Sequence, residues 1–351
     1  MTGTESALPH GHPDQSSQPD LPGALVISLD FELHWGFCDR RDLDEGLKEE
    51  LLNARRAVER LLELFSERGI HATWAAVGFL MLEGRDQLET IAPRPDQRPR
   101  YHDASLDPYR VAVGGNESVD PWHFAPSLVK KICAAPGQEL ATHTFSHYYC
   151  LEPGQDEAAF AADTKAAAGA ARLHGQQPRT VIFPRNQHNP AYGGILRDCG
   201  IEAYRGNPEH PLYRSAASRT DRLPWRRAGR LLDSYLNLSG HHLQPWEDLR
   251  PAELPMNVRA SRFFRPWSRR LQVMETLKIA RIRRGIRAAA GSGSIFHLWW
   301  HPHNFASNME KNMANLRLIF DEYKNCRIRY GMRSLNIGEI VDMVKSPESA
   351  G

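Results

Sequence analysis

Apolar and polar positions alternate along this chain with two periods. The run Ala24–Leu29 is short, apolar in character and ends on Asp30, which predicts a buried parallel strand. From Leu43 to Arg68, Leu47, Leu51, Ala54, Val58, Leu61, Leu62 and Phe65 recur mostly three and four apart, which predicts an amphipathic helix stopped by Gly69. His71–Val77, closed by Gly78, predicts the next strand, and further strands are expected over 138–142, 180–183, 202–204 and 294–300. Helices are expected over the alanine-rich Glu157–Leu173 and over Asn308–Tyr323, where Met309, Met313, Leu316 and Phe320 share one stripe. Both read as scaffold. The β-then-α alternation predicts an α/β fold, a largely parallel sheet or barrel with outer helices, in one domain spanning 24–345. Residues 1–22 lack apolar periodicity and predict a disordered leader, in which His10 and His12 are solvated. The stretches 82–120 and 208–255 show no period and predict long loops or insertions, which in barrels shape the substrate pocket.

Composition adds little to that picture. In 351 residues, 41% are hydrophobic and 25% charged, with 44 Lys and Arg against 42 Asp and Glu, so net charge points to no partner. No apolar run reaches the roughly 18 residues of a membrane span, and the first twenty residues carry no signal-peptide core, so a cytoplasmic setting is expected. The cysteines Cys38, Cys133, Cys150, Cys199 and Cys326 are scattered with no C-x-x-C pair, as reduced thiols would be.

Chemistry concentrates where strands end. The first strand runs into Asp30-Phe31-Glu32, and strand alternation puts both carboxylates on one side, a few ångströms apart. Such a pair repels unless a cation or a shared proton relieves it; alone, it reads equally well as two solvated loop acids. The segment Glu139–His147 ends another strand with His143 and His147 four apart. On a helical turn that spacing stacks both imidazoles on one face, ready to ligate one metal ion. Beside the acidic pair, two histidines and a carboxylate leave one coordination position open, the mark of a catalytic rather than a structural zinc. A third strand delivers His297, His301 and His303. His301 is assigned as a general acid because imidazole titrates near neutrality, His297 as a satisfied core histidine, and His303 as a supporting group beyond the turn. Arg185, in Phe183–Gln187, is placed to orient Asp30 by a bidentate contact, with a surface ion pair as its alternative.

The segments SLDFE, HATWAAVG, HTFSH, FPRNQ and LWWH follow one another in the order and character of a known family. Over nearly all of residues 24–302 the chain resembles the polysaccharide deacetylase, or NodB-homology, family of carbohydrate esterases. HTFSH fits its H-[ST]-x-x-H pattern and Leu298–His301 its L-x-x-H. The resemblance implies a distorted (β/α) barrel of about seven parallel strands. It also implies hydrolysis of acyl groups from sugars by one divalent metal. Position by position it makes Asp30 the base, Glu32 the metal carboxylate, His143 and His147 the metal histidines and His301 the acid. Three departures stand out. The usual adjacent aspartates are replaced by Asp-x-Glu; Phe183-Pro184-Arg185 reverses the usual order of the arginine motif; and the aspartate that tunes the acid histidine has only Asp233 as a candidate.

The function expected is therefore a metal-dependent hydrolase that removes an N-acyl group, expected to be acetyl, from an amino sugar in a glycan or glycan precursor. The alternatives are a deformylase or amidohydrolase acting on another non-peptide C–N amide, and a catalytically silent glycan-binding protein. Zinc is the expected ion, although these ligands also accept cobalt, nickel and manganese. In the expected mechanism Asp30 takes a proton from water, a backbone N–H near Phe145 helps to hold the oxyanion, and His301 protonates the leaving amine. One or two of Trp35, Trp74, Trp122, Trp225, Trp299 and Trp300 are expected to meet the sugar. Between Arg259 and Arg287, ten basic residues face one acid, Glu275. This segment reads either as a solvated basic helix or as a peripheral surface for anionic phospholipid or a lipid-linked, diphosphate-bearing glycan. A nucleotide-linked sugar is the other carrier considered. Nucleic acid is not an expected partner, because no reader motif accompanies the patch.

Overall fold

A computed structural model of the protein describes residues 21–221, 223–249 and 254–346. The expected leader lies outside these residues except for Leu21 and Pro22.

Among the described residues nine parallel strands form one sheet: β1 (Ala24–Phe31), β2 (Ala72–Ala76), β3 (Gln138–Thr142), β4 (Thr180–Val181), β5 (Ala203–Gly206), β6 (Met256–Arg259), β7 (Arg262–Phe263), β8 (Ile295–Trp300) and β9 (Arg333–Leu335). Their order is β6-β5-β4-β3-β2-β1-β8-β7. The ring closes because β6 and β7 are two halves of one segment. Its first half pairs with β5; Ala260 N–H then donates to Gly206 O at 2.9 Å, Ser261 N–H to His297 O at 2.8 Å and Phe264 N–H to Trp299 O at 2.7 Å. Taken as one stave, β6 and β7 bring the wall to the expected number, and β9 lies outside it, paired with Ala24–Val26 of β1. All eight residues of β1 are buried, as a parallel strand covered on both faces requires.

Ten helices surround the wall in the described residues: α1 (Glu45–Arg68), α2 (Arg85–Ile91), α3 (Pro126–Ala134), α4 (Glu157–Arg172), α5 (Gly193–Asp198), α6 (Ser218–Asp221), α7 (Pro224–Tyr235), α8 (Glu275–Ser292), α9 (Met309–Tyr330) and α10 (Ile337–Lys345). Helix α1 starts where the Asp44 carboxylate accepts from Leu47 N–H at 2.7 Å and stops at Gly69, whose φ of 61° suits a residue without a Cβ. Its buried stripe is the expected one, with Leu64 more deeply placed than Leu62. Helix α9 outruns its expected end by two turns because polar residues there still leave Tyr323 and Cys326 on the buried face.

The basic stretch 259–287 departs from the solvated-helix alternative, being neither one helix nor wholly solvated. Arg259 and Arg262 belong to the closing segment of the wall, and α8 begins only at Glu275. Lys278 and Arg281 are buried: Lys278 Nζ donates to Glu275 at 2.9 Å and to Arg265 O at 2.8 Å, and Arg281 donates to Asp233 at 3.0 Å. Charge on that helix therefore faces the core as well as water.

Candidate active site

The C-terminal ends of β1, β3 and β8 meet at one point. Asp30 and Glu32 are both buried, and each has a carboxylate oxygen 3.7 Å from His301 Nε2, so alternation does aim the two acids at one place. Glu32 Oε1 also lies 2.9 Å from His143 Nε2 and 3.2 Å from His147 Nε2.

His143 and His147 do not share a helical turn. The chain after β3 runs through bends in which Thr144 (φ 64°) and His147 (φ 58°) take the left-handed conformation. Among described residues, five of the six non-glycine residues with positive φ border this site: Leu33, Thr144, His147, Arg185 and Asn186. Such conformations cost of order 1 kcal/mol or more each, so surrounding contacts must hold them. Asp163 of α4 is the main one. It accepts from Phe145 N–H at 2.7 Å and Ser146 N–H at 3.1 Å, and from the Ser146 hydroxyl. The Phe145 and Ser146 N–H groups are therefore engaged by Asp163, so neither is free to serve as the oxyanion donor expected near Phe145. Burial pushes the Asp163 carboxyl up to about 6, against the lowering effect of those donors. Close packing also fixes the turn: Gly78 N–H donates to Thr144 O at 2.9 Å, and a Cβ on Gly78 would stand 2.7 Å from Phe145 Cα.

The donor set suits a divalent ion. Ligand atoms of Glu32, His143 and His147 all lie within 4.8 Å of one another, as do those of Asp30, Glu32 and His301. Donors bonded to zinc at about 2.0–2.1 Å in a tetrahedron stand roughly 3.3 Å apart. The Glu32 spacings of 2.9 and 3.2 Å need little change to reach that. Burial holds the His147 imidazole down to about 4, outweighing the pull of Glu32, so it offers an uncharged nitrogen at neutral pH. Its Nδ1 is tied to Tyr149 Oη at 3.0 Å. Burial alone would raise the Glu32 carboxyl, but His301, His143 and His147 hold it well below the usual range.

Arg205 occupies the role expected of Arg185. Its terminal nitrogens donate to Asp30 Oδ1 at 2.6 Å and Oδ2 at 2.8 Å, and to Asn186 Oδ1 at 2.8 Å. Burial would raise the Asp30 carboxyl; Arg205 chiefly, with His143 and His301, brings it below its ordinary value. Arg185 donates instead to Asp39 at 2.6 Å and Ser218 at 2.7 Å, and its guanidinium lies 4.3 Å over the Tyr149 ring. It lines the cavity without touching Asp30. Asp233, the candidate for tuning His301, is engaged by Arg262, Arg281, Tyr213 and Ser239. His297 is buried with Nε2 2.8 Å from Ser28 Oγ, a core position, and the His303 ring lies tilted beside that of His301 with ring centroids 4.9 Å apart.

A cavity of about 460 Å³ opens over Asp30, Glu32, His147 and His301. The 208–255 segment lines it through Tyr213, Arg214, Ser218, Asp221, Arg230 and Ser234, whereas 82–120 contributes no lining residue. Of the tryptophans only Trp299 reaches it; Trp35, Trp74 and Trp300 are wholly buried.

No family model and no curated protein matches the sequence. Solved structures do match in fold. A protein assigned as a polysaccharide deacetylase from Mycobacterium smegmatis aligns with a TM-score of 0.54 at 14% identity, over 94% of this chain and 92% of that one. Another so assigned, from Pseudomonas aeruginosa PAO1, gives 0.52 at 13% identity, over 95% and 94%. The Puue allantoinase gives 0.51 at 12% identity, over 95% and 93%. The likeness is one of fold, and it is the fold that the strand-end motifs led us to expect.

Proposed function

We propose that this chain, built on the fold of structures assigned as polysaccharide deacetylases, is a divalent-metal hydrolase that removes an N-acyl group, acetyl in the first instance, from an amino sugar. The observation that carries this reading is the convergence of the Glu32, His143 and His147 donor atoms beside an ionised Asp30 and a cavity-facing His301. A catalytically silent binder would have no need of all five groups.

Glu32, His143 and His147 would hold the ion, which when bound would polarise the acyl carbonyl and acidify water. Asp30, kept ionised by Arg205, accepts the proton from the attacking water. Arg205 also fixes the plane of the Asp30 carboxylate through its two-point contact. His301 Nε2, close to both acids, donates a proton to the departing nitrogen. Trp299 and Phe263 offer flat apolar faces on the cavity wall for a sugar ring.

Zinc is the metal proposed. The setting proposed is the cytoplasm, with exposed Arg269, Arg270, Val273 and Leu277 giving the 259–287 segment a surface able to rest on anionic membrane. The cleaved bond is tested by metal analysis followed by acetate- and formate-release assays on amino sugars and cyclic amides. Acetate from an N-acetyl sugar, dependent on the metal, supports the reading. Release from cyclic amides alone would replace it with an amidohydrolase, which the allantoinase-like fold accommodates equally well. Formate release would mark a deformylase.

A further inference from the structure

The cavity wall carries charge unevenly. Around Asp30 and Glu32 each cation meets a carboxylate: Arg205 pairs with Asp30, and Arg185 with Asp39. Elsewhere the wall is formed by Arg214, Arg230, Arg262 and Arg265. Arg226 and Arg281 stand with this group, making six guanidinium groups whose ion pairs, among the described residues, run to two carboxylates. Asp221 takes Arg230 and lies 4.0 Å from Arg226, while Asp233 takes Arg262 at 2.7 Å and Arg281 at 3.0 Å. Arg214 and Arg265 pair with no carboxylate among the described residues.

Arg265 is the telling member. It is half-buried, and its nearest polar side-chain contact is Ser234 Oγ at 3.5 Å from Nε. Burial lowers its affinity for the proton, an effect that Tyr235 and Tyr213 oppose and Arg227 adds to. A cation drawn out of water with no counter-charge is costly to keep, and an anion entering the cavity would relieve that cost. A carboxylate brings one negative charge on two coplanar oxygens. A tetrahedral phosphoryl dianion accepts from several guanidinium groups at once.

We propose that Arg265, with Arg214, Arg230 and Arg262, forms a subsite for a phosphoryl group carried by the substrate, which is therefore a phosphorylated amino sugar. The proposal rests on the deacetylase reading for which bond is cut; the subsite itself stands on the charge of the wall. A nucleotide diphosphate or a lipid diphosphate would present the same chemistry.

The test is calorimetric titration of the full chain, metal-free and zinc-loaded, with N-acetylglucosamine 1-phosphate and with N-acetylglucosamine. The phosphate ester should bind about tenfold or more tightly than the neutral sugar, with the advantage falling as salt rises. Arg265→Gln should remove most of that advantage, and Arg214→Gln, at an exposed position that tolerates change, should reduce it. Equal affinity for the two sugars would overturn the proposal. So would an advantage that both variants keep, or an N-acetylated uronic acid that binds as tightly with the same dependence on Arg265. Acetate release from nucleotide-linked and polyprenyl-linked N-acetylglucosamine separates the two carriers. Arg265-dependent binding with no acyl release from any sugar would leave the subsite standing and sink the deacetylase reading. Release from neutral sugars with no phosphate advantage would do the reverse.

Discussion

Arg205 grips Asp30 with both terminal nitrogens, at 2.6 and 2.8 Å, in a place where both side chains are buried. The same guanidinium lies 4.1 Å from the centroid of the Trp299 ring, on the cavity wall. Burial would push the carboxyl up, and Arg205 is the largest of the influences that bring it down. Arg205→Lys keeps a positive charge but loses the planar fork and the stacking on Trp299. With the attraction weakened, burial raises Asp30, so the acid limb of the pH–rate profile should move to higher pH. Turnover number should fall about tenfold or more, with KM changing less, because a misaimed base acts in the transition state. A profile that keeps its acid limb would show that Asp30 is not the group titrating.

The ligand set makes a prediction that separates holding the metal from using it. Glu32→Gln and His143→Ala should each lose zinc on gel filtration, and should lose the rise in melting temperature that zinc gives the parent chain. That rise corresponds to about 2.7 kcal/mol when zinc exceeds its dissociation constant a hundredfold. Asp30→Asn should keep the zinc and the rise while losing turnover. Asp30→Asn that loses zinc as fully as His143→Ala would make Asp30 a ligand rather than a base.

Gly36 bears on the same carboxylate from outside the motifs. A Cβ built there would stand 2.0 Å from Glu32 Oε2, so Gly36→Ala must push the carboxylate away from His143 and His147. Zinc affinity should drop roughly tenfold or more, as for loss of a supporting contact to a ligand. Stability of the metal-free protein should change by much less than for a core truncation. Metal titration with a competing chelator reads the first, urea unfolding the second. Unaltered zinc affinity would place the Glu32 carboxylate elsewhere in the working enzyme.

The sequence exposes the parts of this site that are written locally. Asp30, Glu32, His143, His147 and His301 each sit at the end of an apolar run, where side chains at a parallel barrel's C-terminal face converge whatever the rest of the fold does. Arg205, the true partner of Asp30, is hidden by sequence distance, since 175 positions separate the two. Its signal is a lone arginine inside the apolar strand Ala203–Gly206, a place no solvated arginine would occupy. Asp163 has a like signal, an acid on the buried face of an alanine-rich helix, and is wholly buried there because the site turn supplies its donors. The closing segment 256–264 escapes detection because its two short strands break at Ala260 and Ser261, where the chain changes partners from β5 to β8. The alternation of 256–260 stops there, with Ala260, Ser261 and Arg262 buried in succession.

His297, the buried neighbour of Ser28, gives the fold a pH dependence that needs no metal. Burial first, and the Arg205 charge second, hold its imidazole down to about 3. The unfolded chain returns it to about 6.5. As pH falls below 6.5 the unfolded chain takes up this proton and the folded one does not. His297 therefore contributes its full stability above that value and loses it progressively down to 3. One proton is worth about 1.4 kcal/mol per pH unit, so the loss between pH 6.5 and 5 is at most about 2 kcal/mol. Asp163 acts the other way over part of the range. Its folded value of about 6 exceeds its ordinary one, so between 6 and about 3.8 the folded chain takes the proton first and gains. His297→Gln isolates the histidine, since it keeps a polar partner for Ser28 while removing the titration. Urea unfolding of the metal-free protein at several pH values from 7 to 5 should give the variant the smaller loss of stability on acidification, by up to one proton in slope. Parallel slopes would mean that His297 already shares a proton in the folded chain, and that the barrel wall around Ser28 is wetter than its burial indicates.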